Sequence, residues 1–377
     1  MQLPIVTDCL DWEGKRVFMR SGLNVPVENG IVANAFRLKK VTETINWLRA
    51  KGAKVLVVGH IGREPRETLK PVFEVLSTEI PMAWASDYFS EETNTQIGAM
   101  QNGGVLMFEN VRSLSGETEN DPDLGKRLAS LADIYVNDAF PDSHRAHASI
   151  VGVPTHIPAY AGFQFAREVA ELEKALSPQS PSLFILGGAK FETKFPILKV
   201  MLPLYDEVFV GGALANDLFR ATGIEVGQSL VSENAEGVFE LKDNPKILVP
   251  IDVVVQGENG GLVKTPDAVL PSDSILDCGP QTVSMLSEKI HLSKQVLWNG
   301  PLGNYEQGFS QSTEAIAKAV SKAGGISIVG GGDTVAAIEK LGLEQQFTFV
   351  STGGGAMLDF LADATLPGID AIVASPK

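Results

Sequence analysis

Apolar residues fall in short runs bounded by glycine, proline or charge, and these alternate with longer stretches whose apolar positions recur at helical spacing. In the first half the runs lie at residues 14–20, 54–60, 104–110 and 133–140. Near-continuous hydrophobicity of this kind marks strands covered on both faces, as in a parallel sheet. Residues 36–48 carry the helical spacing, and Gly52 beyond them is a stop signal. Asn24-Val25-Pro26 leaves the first strand through a turn, and Gly30 closes a hairpin-like loop. The stretch from Pro154 to Pro158 breaks the pattern, after which 162–176 reads as one amphipathic helix. The second half repeats the alternation, with runs at 182–186, 207–212, 246–250, 295–301, 326–330 and 347–351. Strands alternating with helices predict an α/β chain with parallel sheets and helices on both faces. The boundary is placed at the helix, dividing 1–160 from 161–360.

Length agrees with two domains: 377 residues exceed one ordinary core. No apolar run reaches membrane-spanning length and the first residues lack a signal peptide's basic and apolar regions, so the expectation is a cytoplasmic protein without a membrane partner. A net charge of −15 argues against non-specific nucleic-acid binding. Cys9 and Cys278 lie far apart with no CxxC partner, so they are expected to be free thiols rather than a disulfide or a zinc ribbon. A monomer is expected.

Ligands of parallel sheets bind outside the carboxyl ends of the strands, and the basic residues gather there. Arg20, Arg37, His60, Arg63, Arg112, His144, Arg145 and His147 all fall at or just after predicted strand ends. Together they predict a cationic bowl for a small acid carrying phosphate and carboxylate, groups that arginine grips bidentately. His144 and His147 could share a metal, but no HExxH pattern or nearby cysteine completes a site; His156 and His291 read as surface residues.

In the second half the strand at 182–186 opens into Gly187-Gly188-Ala189-Lys190-Phe191-Glu192-Thr193-Lys194. Glycines let backbone N–H groups approach a ligand, the helix start favours anions, and Lys190 and Lys194 add charge on one side. Gly330-Gly331-Gly332-Asp333-Thr334 opens another helix, with one carboxylate able to hold magnesium; a plain N-cap role for Asp333 is equally open. Gly353-Gly354-Gly355 follows the last strand in the same way. Neither GxGxxG with a distant acidic partner nor GxxxxGK[ST] occurs, which disfavours a dinucleotide oxidoreductase and a P-loop.

Taken together, these strings resemble the phosphoglycerate kinase family over nearly the whole chain. The resemblance rests on Arg20 with Asn24-Val25-Pro26, His60-Ile61-Gly62-Arg63, Glu109-Asn110-Val111-Arg112, Val136-Asn137-Asp138-Ala139-Phe140, His144-Arg145-Ala146-His147, Gly187-Gly188-Ala189-Lys190, Trp298-Asn299-Gly300-Pro301, Gly330 to Thr334, and Ser351-Thr352-Gly353-Gly354-Gly355. It implies two doubly wound, Rossmann-like domains joined by a hinge helix at about 162–176, with 361–377 folding back on the first. It further implies Mg2+-dependent transfer of a phosphoryl group between ATP/ADP and 3-phosphoglycerate. Carried over by position, Asn24, Arg37, His60, Arg63, Arg112 and Arg145 bind the phosphoglycerate. Arg37, Lys190, Gly331 and Gly354 serve the transferring phosphoryl. Gly188, Lys194, Asn299, Glu306, Gly330, Gly331, Gly332, Asp333 and Thr334 meet the nucleotide, with Asp333 on the metal. Set against this reading are a catalytically impaired nucleotide-binding relative and a kinase of a related small acid.

Departures from the family pattern cluster in the first half. The family's aspartate two residues before Asn24 is Gly22 here, and no neighbouring acid replaces it in sequence, so weaker substrate binding is expected and Gly22→Asp should lower the Michaelis constant. Pro141-Asp142-Ser143 replaces a small turn before His144, which adds a negative charge beside an anion site; Ser113 replaces a phenylalanine and Tyr305 another. The chain is also shorter, with compact loops after Arg63 and around Gly257 to Gly261.

Overall fold

The computed structural model describes residues 3–33, 36–233, 237–257 and 260–377, without the side chains of residues 36, 37, 257 and 260. It divides into two units, one formed by residues 1–170 with 365–377 and the other by 171–364.

The first unit is built on a parallel sheet of β1 (Arg16–Ser21), β2 (Lys54–Val58), β3 (Ala83–Ala85), β4 (Val105–Phe108), β5 (Ile134–Asp138) and β6 (Ala159–Ala161), in spatial order β3-β4-β2-β1-β5-β6. The apolar runs form strands because helices cover both faces, and Val17, Phe18 and Met19 of β1 are all fully buried. Helix α1 (Phe36–Ala50) packs Val41, Ile45 and Leu48 against Val55 and Val57 of β2 in the main core. Asn29 and Gly30 both take positive φ at the hairpin turn between Val27–Glu28 and Ile31–Val32, as a two-residue turn matched to strand twist requires. Strands β3 and β6 escape the sequence reading because three residues, two of them alanine, carry too little periodicity.

Strand β1 sits between β2 and β5, and register aligns Arg20 with Val58 on one side and Asn137 on the other. Chain leaving β1, β2 and β5 therefore emerges at one edge. Helix α2 (Phe163–Ala175) follows β6 and runs across the 170/171 boundary.

The second unit carries β7 (Ser182–Leu186), β8 (Glu207–Val210), β9 (Ile247–Leu248), β10 (Gln295–Asn299), β11 (Ile326–Gly330) and β12 (Phe349–Val350), in order β9-β8-β7-β10-β11-β12, again all parallel. Both sheets are doubly wound, as expected. Trp298 of β10 is wholly buried among Ile185, Phe209, Ile316 and Val329, and truncating so large a core side chain to alanine costs about 3–5 kcal/mol. Strand order reverses between β7 and β10, the crevice at which doubly wound sheets bind ligands.

A separate antiparallel sheet joins Val253–Gly257, Gly260–Lys264 and Ile275–Cys278, and residues 258 and 259 of the compact loop expected near Gly257 lie outside the described residues. Its valines, Val253 and Val255, pack with Ala215 and Phe219 in a smaller core. Their run follows the one at 246–250 with little turn signal between them, which hid it.

Helices begin straight after the strands of this unit: α3 (Phe191–Leu204) after β7, α4 (Ala213–Ala221) after β8, α5 (Gly332–Lys340) after β11 and α6 (Gly355–Asp363) after β12. Finally α7 (Pro367–Val373) belongs to the first unit, where Gly368 N–H donates to Ser143 O at 2.9 Å and Ala159 N–H donates to Ser375 Oγ at 3.2 Å. Among the described residues no helix is long and apolar enough to cross a membrane.

Candidate active site

In the first unit the basic residues predicted at strand ends sort into a buried floor and an exposed rim. Arg20, His60 and Asp142 are buried; Asn24, Arg63 and Arg145 are exposed, with Arg112 between. The side chain of Arg37, on the first turn of α1, lies outside the described residues. Asn24 Oδ1 accepts from Gly62 N–H at 3.0 Å, which ties the loop after β1 to the loop after β2. Arg112 donates to Gly62 O from the 3-10 turn Val111–Ser113 and keeps a buried Nε without a protein partner among the described residues. Burial, with the nearby charge of Arg145, pulls the Arg112 guanidinium below its ordinary value. A cation disfavoured by desolvation and like charge is relieved by an anion placed beside it.

Sequence reasoning put Arg20 in the bowl, but it is fully buried beneath it. Its Nε donates to Ser149 Oγ at 3.0 Å, Nη1 to Ser21 O at 2.8 Å and to Asp142 Oδ2 at 3.0 Å, and Nη2 meets His60 Nδ1 at 3.1 Å. Ser149 in turn donates to Glu117, and burial raises the Glu117 carboxyl against the opposing charge of Arg20. Asp142, expected from sequence to add a negative charge beside the anion site, is the direct counter-ion of Arg20. Burial works against its charged form, yet the Arg20 guanidinium outweighs that and holds its carboxyl well below the usual range. Burial also lowers His60, against Asp142, and lowers His147 to about 4 with help from the arginines. Both rings are therefore neutral at pH 7. Among the described residues no group of three histidine, cysteine, aspartate or glutamate side chains gathers to hold a metal.

In the second unit the predicted residues meet where the strand order reverses. Register places Asn299 beside Leu186 and beside Gly330, so the loops after β7, β10 and β11 emerge together. Lys194 Nζ donates to Asn299 Oδ1 at 2.6 Å, and withdrawal from water lowers its pKa to about 8. Lys190 is exposed at the start of α3. Gly212 (φ +63°) packs so close that a Cβ there would meet Gly188 O at 2.8 Å, and a Cβ on Gly331 (φ +99°) would meet Gly300 N at 3.1 Å. Helices α4, α5 and α6 have Gly212, Gly331 and Gly354 as N-caps, all at positive φ and none with a side-chain cap; Leu214 N–H donates to Gly188 O and Ala356 N–H to Gly353 O, and first-turn N–H groups without such a partner can meet an anion. Gly331 is the N-cap, so the N-cap reading of Asp333 fails: Asp333 lies inside the first turn of α5, exposed. Next to it the Thr334 hydroxyl is buried without a partner among the described residues.

Beside these loops opens a cavity of about 460 Å3. Gly188, Glu306 and Asp333 line it, with Phe219, Leu230 and Leu302 among its apolar walls and Asn216 and Gln228 among its polar groups. An apolar chamber with a few polar groups beside bare helix starts fits a molecule with a flat apolar body and an anionic tail. The apolar walls from the extra sheet had no motif to announce them.

The chain matches the family model for phosphoglycerate kinase over residues 6–364. It is 40% identical to the phosphoglycerate kinase of Dictyoglomus turgidum, over 95% of this chain and 96% of that one, and 40% identical to that of Bradyrhizobium diazoefficiens, over 97% of each. Among solved structures, phosphoglycerate kinase from Coxiella burnetii superposes with a TM-score of 0.86 at 37% identity, covering 99% of both chains; that from Pyrococcus horikoshii gives 0.87 at 29%, also over 99% of both.

Proposed function

The chain belongs to the phosphoglycerate kinase family and is a phosphotransferase with a carboxyl group as acceptor; from that premise we propose that its second unit holds the nucleotide and its first the phosphorylated acid. The reaction is reversible transfer between ATP or ADP and 3-phosphoglycerate or 1,3-bisphosphoglycerate. Phosphoryl transfer asks a protein for positioning and for neutralisation of charge, with little covalent work. The observation that carries the assignment is the gathering of Lys194 and uncapped helix starts around the edge of β7 and β10, beside the cavity.

In this reading the cavity takes the nucleoside, with Gly188, Glu306 and Asn299 around it. Lys194 and the backbone of Gly330, Gly331, Gly332 and Thr334 neutralise its phosphates. Lys190, Arg37, Gly331 and Gly354 serve the phosphoryl in transfer. Magnesium, when bound, neutralises phosphate charge and orients the phosphate oxygens; Asp333 would hold it. One exposed carboxylate next to an unpartnered buried hydroxyl suits an ion that draws most of its ligands from phosphate and water. Across the first unit, Asn24, Arg63, Arg112 and Arg145 grip the acid at the rim, and His60 donates to it from the floor.

The test is a coupled assay for 1,3-bisphosphoglycerate with purified protein. Turnover that requires both ATP and 3-phosphoglycerate is expected. Tight ADP binding without turnover would overturn the reading.

A further inference from the structure

Three buried side chains in the first unit form one charged cluster that the strand register brings together: Arg20 at the end of β1, His60 just after β2, and Asp142 on the 3-10 turn Phe140–Asp142 after β5. Their exposures are 0%, 1% and 5%, so each polar atom must find its partner inside the protein or in a ligand. The His60 ring is the informative member. A guanidinium can only donate, so Arg20 Nη2 at 3.1 Å makes Nδ1 an acceptor. Asp142 Oδ2 lies farther from the same nitrogen, at 3.4 Å, and a proton on Nδ1 would set two donors against each other across the shorter contact to Arg20. Neutral His60 therefore carries its proton on Nε2, and that atom is buried without a partner among the described residues. An unmet buried donor beside an arginine rim is a vacancy for one oxygen of an anion.

What keeps Arg20 in this pose is Asp142. The carboxylate takes Nη1 at 3.0 Å, sharing it with Ser21 O, while Ser149 Oγ accepts from Nε. It also cancels the arginine's charge, so the floor beneath the acceptor is neutral and the attraction comes from the rim. Gly22 sits against the same turn: a Cβ there would touch Pro141 Cδ at 3.8 Å. The carboxylate this floor needs thus comes from the turn after β5, β1's neighbour in the sheet, not from the loop after β1 itself.

We propose that Asp142 is a positioning residue for the acceptor site: through Arg20 it fixes His60 as the Nε2–H tautomer, which donates to 3-phosphoglycerate. This rests on the function proposed above only in naming the acceptor.

The test uses the full chain, labelled with 15N in its histidine rings, and reads the His60 tautomer from long-range proton–nitrogen correlations without ligand, with His60→Gln to assign the signal. A single Nε2–H form is expected in the unsubstituted protein. In Asp142→Asn and Asp142→Ala the ring should show both tautomers, and the Michaelis constant for 3-phosphoglycerate should rise roughly tenfold or more while that for MgATP stays unchanged. A proton on Nδ1 in the unsubstituted protein overturns the proposal without any variant being needed. So does an unchanged tautomer with an unchanged Michaelis constant in Asp142→Ala. Absence of any turnover of 3-phosphoglycerate by the unsubstituted protein would instead refute the acceptor assignment, and the ligand-free tautomer would still decide the role of Asp142.

Discussion

Lys194 offers the sharpest test of the nucleotide assignment, because its proton is loosely held before a ligand arrives. Its half-buried ammonium donates to Asn299 Oδ1 at 2.6 Å, and desolvation lowers its pKa to about 8. Phosphate oxygens placed beside it favour the charged form and raise that value. Binding must then take up a proton, and affinity must fall as pH climbs above 8. With a free pKa of about 8, the charged fraction is about 0.9 at pH 7 and about 0.1 at pH 9, so ADP affinity should drop roughly tenfold across that window, or about 1.4 kcal/mol. Titration calorimetry of Mg-ADP in two buffers of different ionisation enthalpy should show uptake of about half a proton at pH 8. Lys194→Arg keeps its charge throughout and should flatten the dependence, which separates the lysine from titration of the nucleotide. Binding without proton uptake at pH 8, and with equal affinity at pH 7 and 9, would refute the reasoning.

Gly22→Asp should raise the Michaelis constant for 3-phosphoglycerate several-fold, on the order of 1 kcal/mol of repulsion, because Asp142 already supplies the carboxylate at this turn; a fall in steady-state kinetics would restore the expectation from sequence. Asp138 is buried, and burial raises its carboxyl to about 6, so the folded state binds more protons than the unfolded one between about pH 4 and 6 and loses stability as pH rises through that window. Urea denaturation should therefore show Asp138→Asn gaining on the parent protein between pH 5 and 8 by on the order of 1–3 kcal/mol; a gap independent of pH would count against this. Gly212→Ala should cost about 1–3 kcal/mol and weaken ADP binding, since its Cβ would meet Gly188 backbone. Gly223→Ala, also at positive φ (+83°) but with open space around it, should lower stability and leave ADP affinity alone.

Much of the architecture was readable because parallel strands buried on both faces leave unbroken apolar runs, and helices that start at glycines leave a second mark. The runs at 182–186 and 295–301 and the glycines beside them mark in sequence the edge to which we assign the nucleotide. Elements with little periodicity were lost: Ala83–Ala85 and Ala159–Ala161 exist through their neighbours' hydrogen bonds, and the extra antiparallel sheet lacked a turn signal at its entry. Arg20, His60 and Arg112 do lie at or just after strand ends, but spacing along a chain carries no information about depth. Arg20 and Arg63 look alike in sequence; one is a buried strut and the other is exposed. The exchange between Gly22 and Asp142 was visible only as two separate oddities, 120 positions apart in the numbering, because their relation is made by strand register.

The placement of α7 has a consequence for how the protein is made. Residues 365–377 complete the first unit but follow the whole of the second in the chain, and Gly368 grips the carbonyl of Ser143, the neighbour of Asp142. A ribosome adding about 5–20 residues per second needs roughly ten to forty seconds to pass the second unit. Throughout that interval the turn bearing Asp142 exists without its last support, while the second unit has everything it needs as soon as its own strands emerge. The first unit thus begins before the second and is completed after it, and the floor that we assign to the acid is set by a segment made after the whole of the second unit.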